Sequence, residues 1–240
     1  MNTIRILIDK ELNNAFNSWS LYIGYIVFFC ICGFYSWLSA GNLFYIGQAN
    51  MMPVFIIINW TQFFMLPALT MKSIADEKRN GTIELMLTKP VKISDLVCGK
   101  FLTNLIITTL ALFLTLPYYI TLASLGQVDH GAIVLGYLGL IQMSACYISI
   151  GLFSSALSRT PVSAFFISFG IGLCFQLLFG MLANQVGNGF WADLFGYLSM
   201  EEHFDSLSRG ILDSRDIIYF ASIITIFLSL TRFLICKSKI

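Results

Sequence analysis

Charge is scarce in this 240-residue chain: 14 Lys and Arg and 13 Asp and Glu make up 11% of it, where soluble domains carry about 25%. So little ionic surface cannot cover a water-soluble core of this size, which excludes a soluble domain, a disordered chain and a coiled coil. The net charge of +1 gives no ground for a nucleic-acid partner. None of the six cysteines (Cys30, Cys32, Cys98, Cys146, Cys174, Cys236) stands in a C-x-x-C pair, and most lie inside apolar runs. A disulfide framework or zinc site needs spaced, polar-exposed cysteines. Histidine occurs only as His130 and His203, both in polar connecting segments remote from Ser154–Ser155. No serine–histidine pair can form, which argues against an intramembrane hydrolase. The chain also lacks a G-x-x-x-x-G-K-[ST] loop, since Gly99-Lys100 is followed by Phe101 and has no upstream glycine. Any ATP that drives it must be bound by another chain. The opening MNTIRILIDKELNNAF mixes acids and bases and lacks the pattern of a signal peptide.

Apolar sequence is abundant. Hydrophobic residues make up 57% of the chain and the mean hydropathy is +0.79. Six runs reach the roughly 20 residues needed to cross about 30 Å of hydrocarbon: Trp19 to Leu38, Met52 to Met71, Leu96 to Leu122, Ile133 to Leu157, Val162 to Ala183 and Ile217 to Ile235. None alternates as a barrel strand would. The fold class is therefore an all-α integral membrane bundle of six transmembrane helices. Twelve of the 14 basic residues fall in the N-terminus, 72–100, position 159 and the C-terminus; only Arg209 and Arg215 lie in the opposite set. The positive-inside rule then puts both termini and the 72–95 loop in the cytoplasm, with 184–216 outside. Residues 1–18, with Ile8, Leu12 and Phe16 on one face, read as an N-terminal interfacial helix.

The middle third of every span lacks Asp, Glu, Lys and His, which counts against an ion-driven carrier. Asn59, Gln62, Asn104, Gln142 and Gln176 lie inside, as interhelical hydrogen-bonding groups or as the lining of a path. Gly136, Gly139, Ser144, Ala145, Ser149 and Gly151 mark the fourth span for close helix contacts, and Ser168-x-x-x-Gly172 marks the fifth. Pro53, Pro67 and Pro117 are expected to bend or break spans two and three. Outside, Glu201, Glu202, His203 and Asp205 resemble a metal cluster. On a helix, however, only i,i+3 or i,i+4 neighbours meet, leaving Glu202–Asp205 as the usable pair. An amphipathic helix with a Phe204, Leu207, Ile211 stripe fits better, with Asp213-x-x-Asp216 capping the last span.

The stretch SIADEKRNGTIELMLTKPVKISDLVCGKFL, Ser73 to Leu102, is the most informative. Asn80-Gly81 supplies a turn that tolerates positive φ. Thr82 can cap a short helix, Glu84 favours its first turn, and Ile83, Leu85, Met86 and Leu87 give it an apolar surface that Pro90 ends. Ser94 can cap the third span. Composition alone leaves open an ordinary amphipathic loop or a helix built to dock on a soluble partner.

Glu77-Lys78-Arg79-Asn80-Gly81-Thr82-Ile83-Glu84-Leu85-Met86-Leu87, then Lys89-Pro90 and Gly99-Lys100, resembles the E-x-x-x-G-T-x-E-x-L-x-x-x-P…G-K signature of ABC-2 type permeases, with Met86 where that pattern has leucine. The resemblance covers the whole chain, 1–240 reading as one ABC-2 type transmembrane domain. It has a cytoplasmic coupling segment at 73–95 and an extracytoplasmic segment at 184–216. A second block, His203 to Thr231, resembles the branch that holds the gliding-motility-associated permease of Bacteroidetes and the copper-processing permease of nitrous oxide reductase clusters.

The resemblance implies a bacterial inner-membrane subunit that is not itself an enzyme. Its coupling helix would dock on an ABC ATPase dimer, which binds ATP and Mg; the chain itself carries no cofactor. It also implies a second permease subunit, identical or not, and leaves room for a periplasmic or outer partner. Glu77, Gly81, Thr82, Glu84, Leu85, Met86 and Pro90 are the ATPase-coupling residues by motif position, and none is catalytic. The implied function is export or transmembrane force transmission, with gliding motility favoured. A copper-processing or other exporter, a passive channel and a non-transporting interaction protein are the alternatives.

In a cysteine-free background, Leu85→Cys and Asp205→Cys should label from opposite sides of the membrane with an impermeant maleimide. Labelling of both from outside the cell would overturn the six-span topology.

Overall fold

In a computed structural model, residues 3–38, 50–81, 92–187 and 189–237 are described. Every regular element among them is helical. Six helical runs are long and apolar enough to cross a membrane: Trp19–Leu38, Met52–Arg79, Ile93–Leu125, His130–Leu157, Pro161–Val186 and Ser214–Lys237, hereafter spans 1 to 6. They contain the six runs expected from hydropathy, extended mainly at their ends.

Span 4 is the axis of the bundle and packs on spans 2, 3, 5 and 6. About two-thirds of its apolar window is buried (67%), against 17% for spans 5 and 6. Its small residues explain the position. A β-carbon at Gly136 would overlap the Phe55 ring, and one at Gly151 would overlap Thr70 Oγ1. One at Gly139 would lie 3.2 Å from Phe204. Lipid tails are as apolar as leucine, so helices associate in a membrane through close packing rather than through the hydrophobic effect. The glycines of span 4 supply that closeness.

Three prolines act differently from one another. Pro53 is the second residue of span 2, where its missing N–H is no loss. It opens the helix and does not bend it, which corrects the expectation for that residue. Pro67 lies inside the helix Met52–Thr70, one turn before the chain turns at Met71 and restarts as Lys72–Arg79. Pro117 follows a break at Leu114–Thr115 and begins the helix Leu116–Leu125. There the Thr115 hydroxyl donates to the Leu112 carbonyl at 2.6 Å and lies 3.1 Å from the Tyr137 hydroxyl.

Polar groups inside the bundle are mostly paired. The Tyr147 hydroxyl of span 4 donates to Gln176 Oε1 at 2.6 Å and lies 3.5 Å from Asn59 Oδ1. This neutral knot joins spans 2, 4 and 5. Gln176 belongs to a π-helical stretch, Cys174–Leu178, inside span 5, and such one-turn widenings commonly re-aim a side chain. Asn104 instead turns back on its own helix, donating to the Lys100 carbonyl at 2.8 Å.

Gly151→Val and Gly136→Leu should each cost about 1–3 kcal/mol through overpacking, read as a lower melting temperature of the detergent-solubilised chain. Gly24→Ala, around which no described atom comes within 4 Å, should melt as wild type. Unchanged melting of Gly151→Val would refute the contact between spans 2 and 4.

Candidate functional site

The end of the bundle that carries Lys100 gathers the segments around the Glu77–Gly81 stretch. Where span 2 restarts after Met71, the first turn of Lys72–Arg79 has backbone donors without partners in its own helix. The Ser155 hydroxyl of span 4 meets this need. It accepts from the amides of Ile74 and Ala75 at 3.0 and 2.9 Å and donates to the Met71 carbonyl at 3.0 Å. Lys78 Nζ also donates to the Ala156 carbonyl. The helix Lys72–Arg79 is thus stitched to the end of span 4. Nothing in the sequence pattern around Ser155 announces this role.

Lys100 lies in span 3 and its side chain is 3% exposed. Its ammonium is 2.7 Å from Glu77 Oε1 on the restarted helix and 3.4 Å from Glu11 Oε1 on the N-terminal helix Thr3–Phe16. That N-terminal helix packs along span 3. Its inward stripe is Ile4, Leu7, Ile8, Glu11, Leu12 and Ala15, all half-buried, while Ile6 and Phe16 are exposed. The face is therefore rotated from the expected one, because Phe16 does not belong to it. Leu7 rests on Gly99, where a β-carbon would lie 3.2 Å from Leu7 Cβ. Gly99 admits the N-terminal helix, and Lys100 ties it down. A carboxylate at position 11 of an otherwise apolar i,i+3,i+4 stripe was the readable signal for this contact.

After Arg79 the helix ends. Asn80 donates to the Asp76 carbonyl at 2.9 Å, and Gly81 takes φ +67°, a left-handed conformation that glycine adopts without strain. The expected Asn80-Gly81 turn has this form. Of the motif residues, Glu77 and Gly81 are thus placed. Thr82, Glu84, Leu85, Met86 and Pro90, with the short helix expected there, lie outside the described residues. Span 3 starts at Ile93 with Lys92 at its cap position and Asp95 in its first turn. Ser94 sits one residue inside the helix and is not the cap.

The family model described as ABC-2 family transporter protein matches residues 64–235, from the middle of span 2 to the end of span 6. The chain belongs to this family. It is a multi-pass membrane permease subunit of an ABC transporter, a membrane component and not itself the catalytic one, and the family works with an ABC ATPase. No curated protein matches the chain.

At the opposite end of the permease, the connecting helices Phe190–Leu198 and Met200–Ser208 cover the bundle. His203 is buried, with Nδ1 2.6 Å from Asp216 Oδ1 of span 6 and Nε2 3.2 Å from the Tyr197 carbonyl. The Tyr219 ring stacks on it at 4.1 Å. His203 therefore pairs thirteen residues along the chain and not within its own helix. Asp205 meets Arg209 at 3.3 Å rather than Glu202. Asp213 accepts from the Arg215 amide at 2.9 Å as a cap, whereas the Asp216 side chain is taken by His203. The buried stripe is Met200, His203, Phe204, Leu207 and Ser208; Ile211, expected in it, is 59% exposed. The i,i+3,i+4,i+7,i+8 spacing of that stripe could have flagged His203 as inward.

Lys100→Met should release the N-terminal helix, because Glu11 and Glu77 would then face each other without the Lys100 ammonium between them. The expected loss is about 2–3 kcal/mol, below the 3–5 kcal/mol of a fully buried pair because the Glu11 and Glu77 side chains are 21% and 16% exposed. It can be read as a lower melting temperature and as faster maleimide labelling of Leu7→Cys. Labelling at the wild-type rate would remove Lys100 as the tie.

Proposed function

We propose that the permease is an ATP-driven subunit of a bacterial inner membrane, with the Lys100 end and both termini cytoplasmic. The whole of 1–240 acts as one transmembrane domain. Segment 73–95 docks on a separate ABC ATPase dimer, which holds the ATP and Mg, and segment 184–216 lies on the extracytoplasmic face. The reading of the sides rests on the distribution of basic residues, twelve of 14 at one end. Glu77, Gly81, Thr82, Glu84, Leu85, Met86 and Pro90 form the coupling surface, and a second permease subunit packs beside this one.

The observation that carries coupling is the position of Lys100. Its bonds to Glu77 and Glu11 link the helix that leads into the coupling segment with span 3 and the N-terminal helix. Displacement of Lys72–Arg79 by an ATPase is then felt by three elements at once. The likeness of His203 to Thr231 to the gliding-motility branch favours a role there, in export or in passing force to a periplasmic or outer partner.

Glu84→Lys and Gly81→Val should insert and accumulate normally, because both lie outside the hydrocarbon. A side chain at Gly81 meets only the roughly 1 kcal/mol strain of a left-handed backbone. Both should nonetheless reduce co-purification of the ATPase or uncouple its hydrolysis from function in cells, while Glu202→Lys leaves capture unchanged. Normal capture together with normal function in both cytoplasmic variants would reduce segment 73–95 to a connector.

A further inference from the structure

The hydrogen bonds of the His203–Asp216 pair fix how many protons it carries. His203 Nε2 lies 3.2 Å from the Tyr197 carbonyl, which can only accept, so Nε2 bears a hydrogen. Nδ1 lies 2.6 Å from Asp216 Oδ1, and two lone pairs do not meet that closely without a hydrogen between them. Imidazole is the stronger base of the two, so this second hydrogen rests on the ring. The pair thus holds one proton more than a neutral imidazole beside a carboxylate.

Three elements depend on that proton. Tyr197 belongs to the helix Phe190–Leu198, His203 to Met200–Ser208 and Asp216 to span 6. His203 and Asp216 are only 8% and 5% exposed. Asp216 Oδ2 has no hydrogen-bond partner among the described residues, so Oδ1 alone ties the carboxylate. With one hydrogen left, the ring can serve Tyr197 or Asp216 but not both. The other contact then sets lone pair against lone pair, and a buried group left unpaired is costly. Other ties do not need the proton: Leu207 packs against Gly139 of span 4, and the Tyr219 hydroxyl donates to the Leu198 carbonyl at 2.7 Å.

Both residues of the pair line a pocket of about 720 Å³, which gives the proton a route to solvent. The charged groups on the same wall are Asp193, Glu202, Asp213 and Arg215. On the helix of His203, Glu201 precedes it and Asp205 is held by Arg209. Span 6 adds Tyr219, stacked on the ring, and span 4 adds Cys146, whose thiol donates to the Phe220 carbonyl.

We propose that His203 and Asp216 form a proton-binding site that latches the two connecting helices to span 6. The latch is closed while the ring holds both hydrogens and opens when one passes to water in the pocket. Stability at this joint is therefore lost as the pH rises.

The chain has two histidines, so isotope-labelled histidine in the detergent-solubilised His130→Gln chain leaves one imidazole for nitrogen NMR. Ser199→Cys, in a cysteine-free background, reports the joint, because Ser199 is buried between the two connecting helices. Both ring nitrogens should be protonated wherever Ser199→Cys resists a maleimide. On raising the pH, loss of one ring proton and faster labelling should coincide. The rate, normalised to a free thiol in the same buffer, should rise roughly three- to tenfold, about the worth of one hydrogen bond. Leu207→Cys, seated on span 4, should stay protected throughout. Asp216→Asn should keep Ser199→Cys protected at every pH, since its amide can turn and donate to a bare Nδ1. A ring with one protonated nitrogen while Ser199→Cys is still protected would overturn the proton count. Labelling that stays flat while the ring loses its proton, or a pH step in Asp216→Asn equal to that of the parent, would overturn the latch.

Discussion

One ammonium group organises half of this molecule. Lys100 is almost wholly withdrawn from water, and a buried charge costs several kcal/mol unless carboxylates meet it with good geometry. Glu77 and Glu11 meet it from two different elements, so neither element is free to take another position. The N-terminal helix becomes part of the bundle rather than a separate lead-in. Gly99 must stay small because Leu7 approaches from above it. The helix Lys72–Arg79 is fixed twice, by Lys100 on one side and by Ser155 on the other.

The other end follows the same logic with different residues. His203 and Asp216 join a connecting helix to span 6, and Tyr219 covers the ring. Between the two ends no pair of charges is needed: glycines of span 4 and the neutral Asn59–Tyr147–Gln176 knot hold the spans. Hydrocarbon makes ionised groups expensive, so the charges that fix this fold stand near the ends of its spans.

That division also sets what the sequence discloses. Spans are legible because crossing hydrocarbon demands long apolar runs, and Gly136, Gly139 and Gly151 are legible because close packing demands small residues at fixed spacing. Pairings between elements are not. His203 finds Asp216 only after the chain has turned, and Ser155 is one hydroxyl among many until Met71 breaks span 2 beside it. Pro53 shows the same limit, since whether a proline bends or opens a helix depends on a boundary set by its neighbours. Of the signature residues, Glu77 lies near the end of a helix and Gly81 in the turn after it, while 82–91 lie outside the described residues.

The junction at Met71 has a mechanical consequence. Eight residues of helix lie on one side of it and nineteen on the other, about 12 Å and about 28 Å. Ser155 holds the chain at the division, and Lys100 and the Ala156 carbonyl hold it beyond. The last eight residues of span 2 are therefore seated by polar bonds of their own, while the nineteen before them are seated by close packing on span 4.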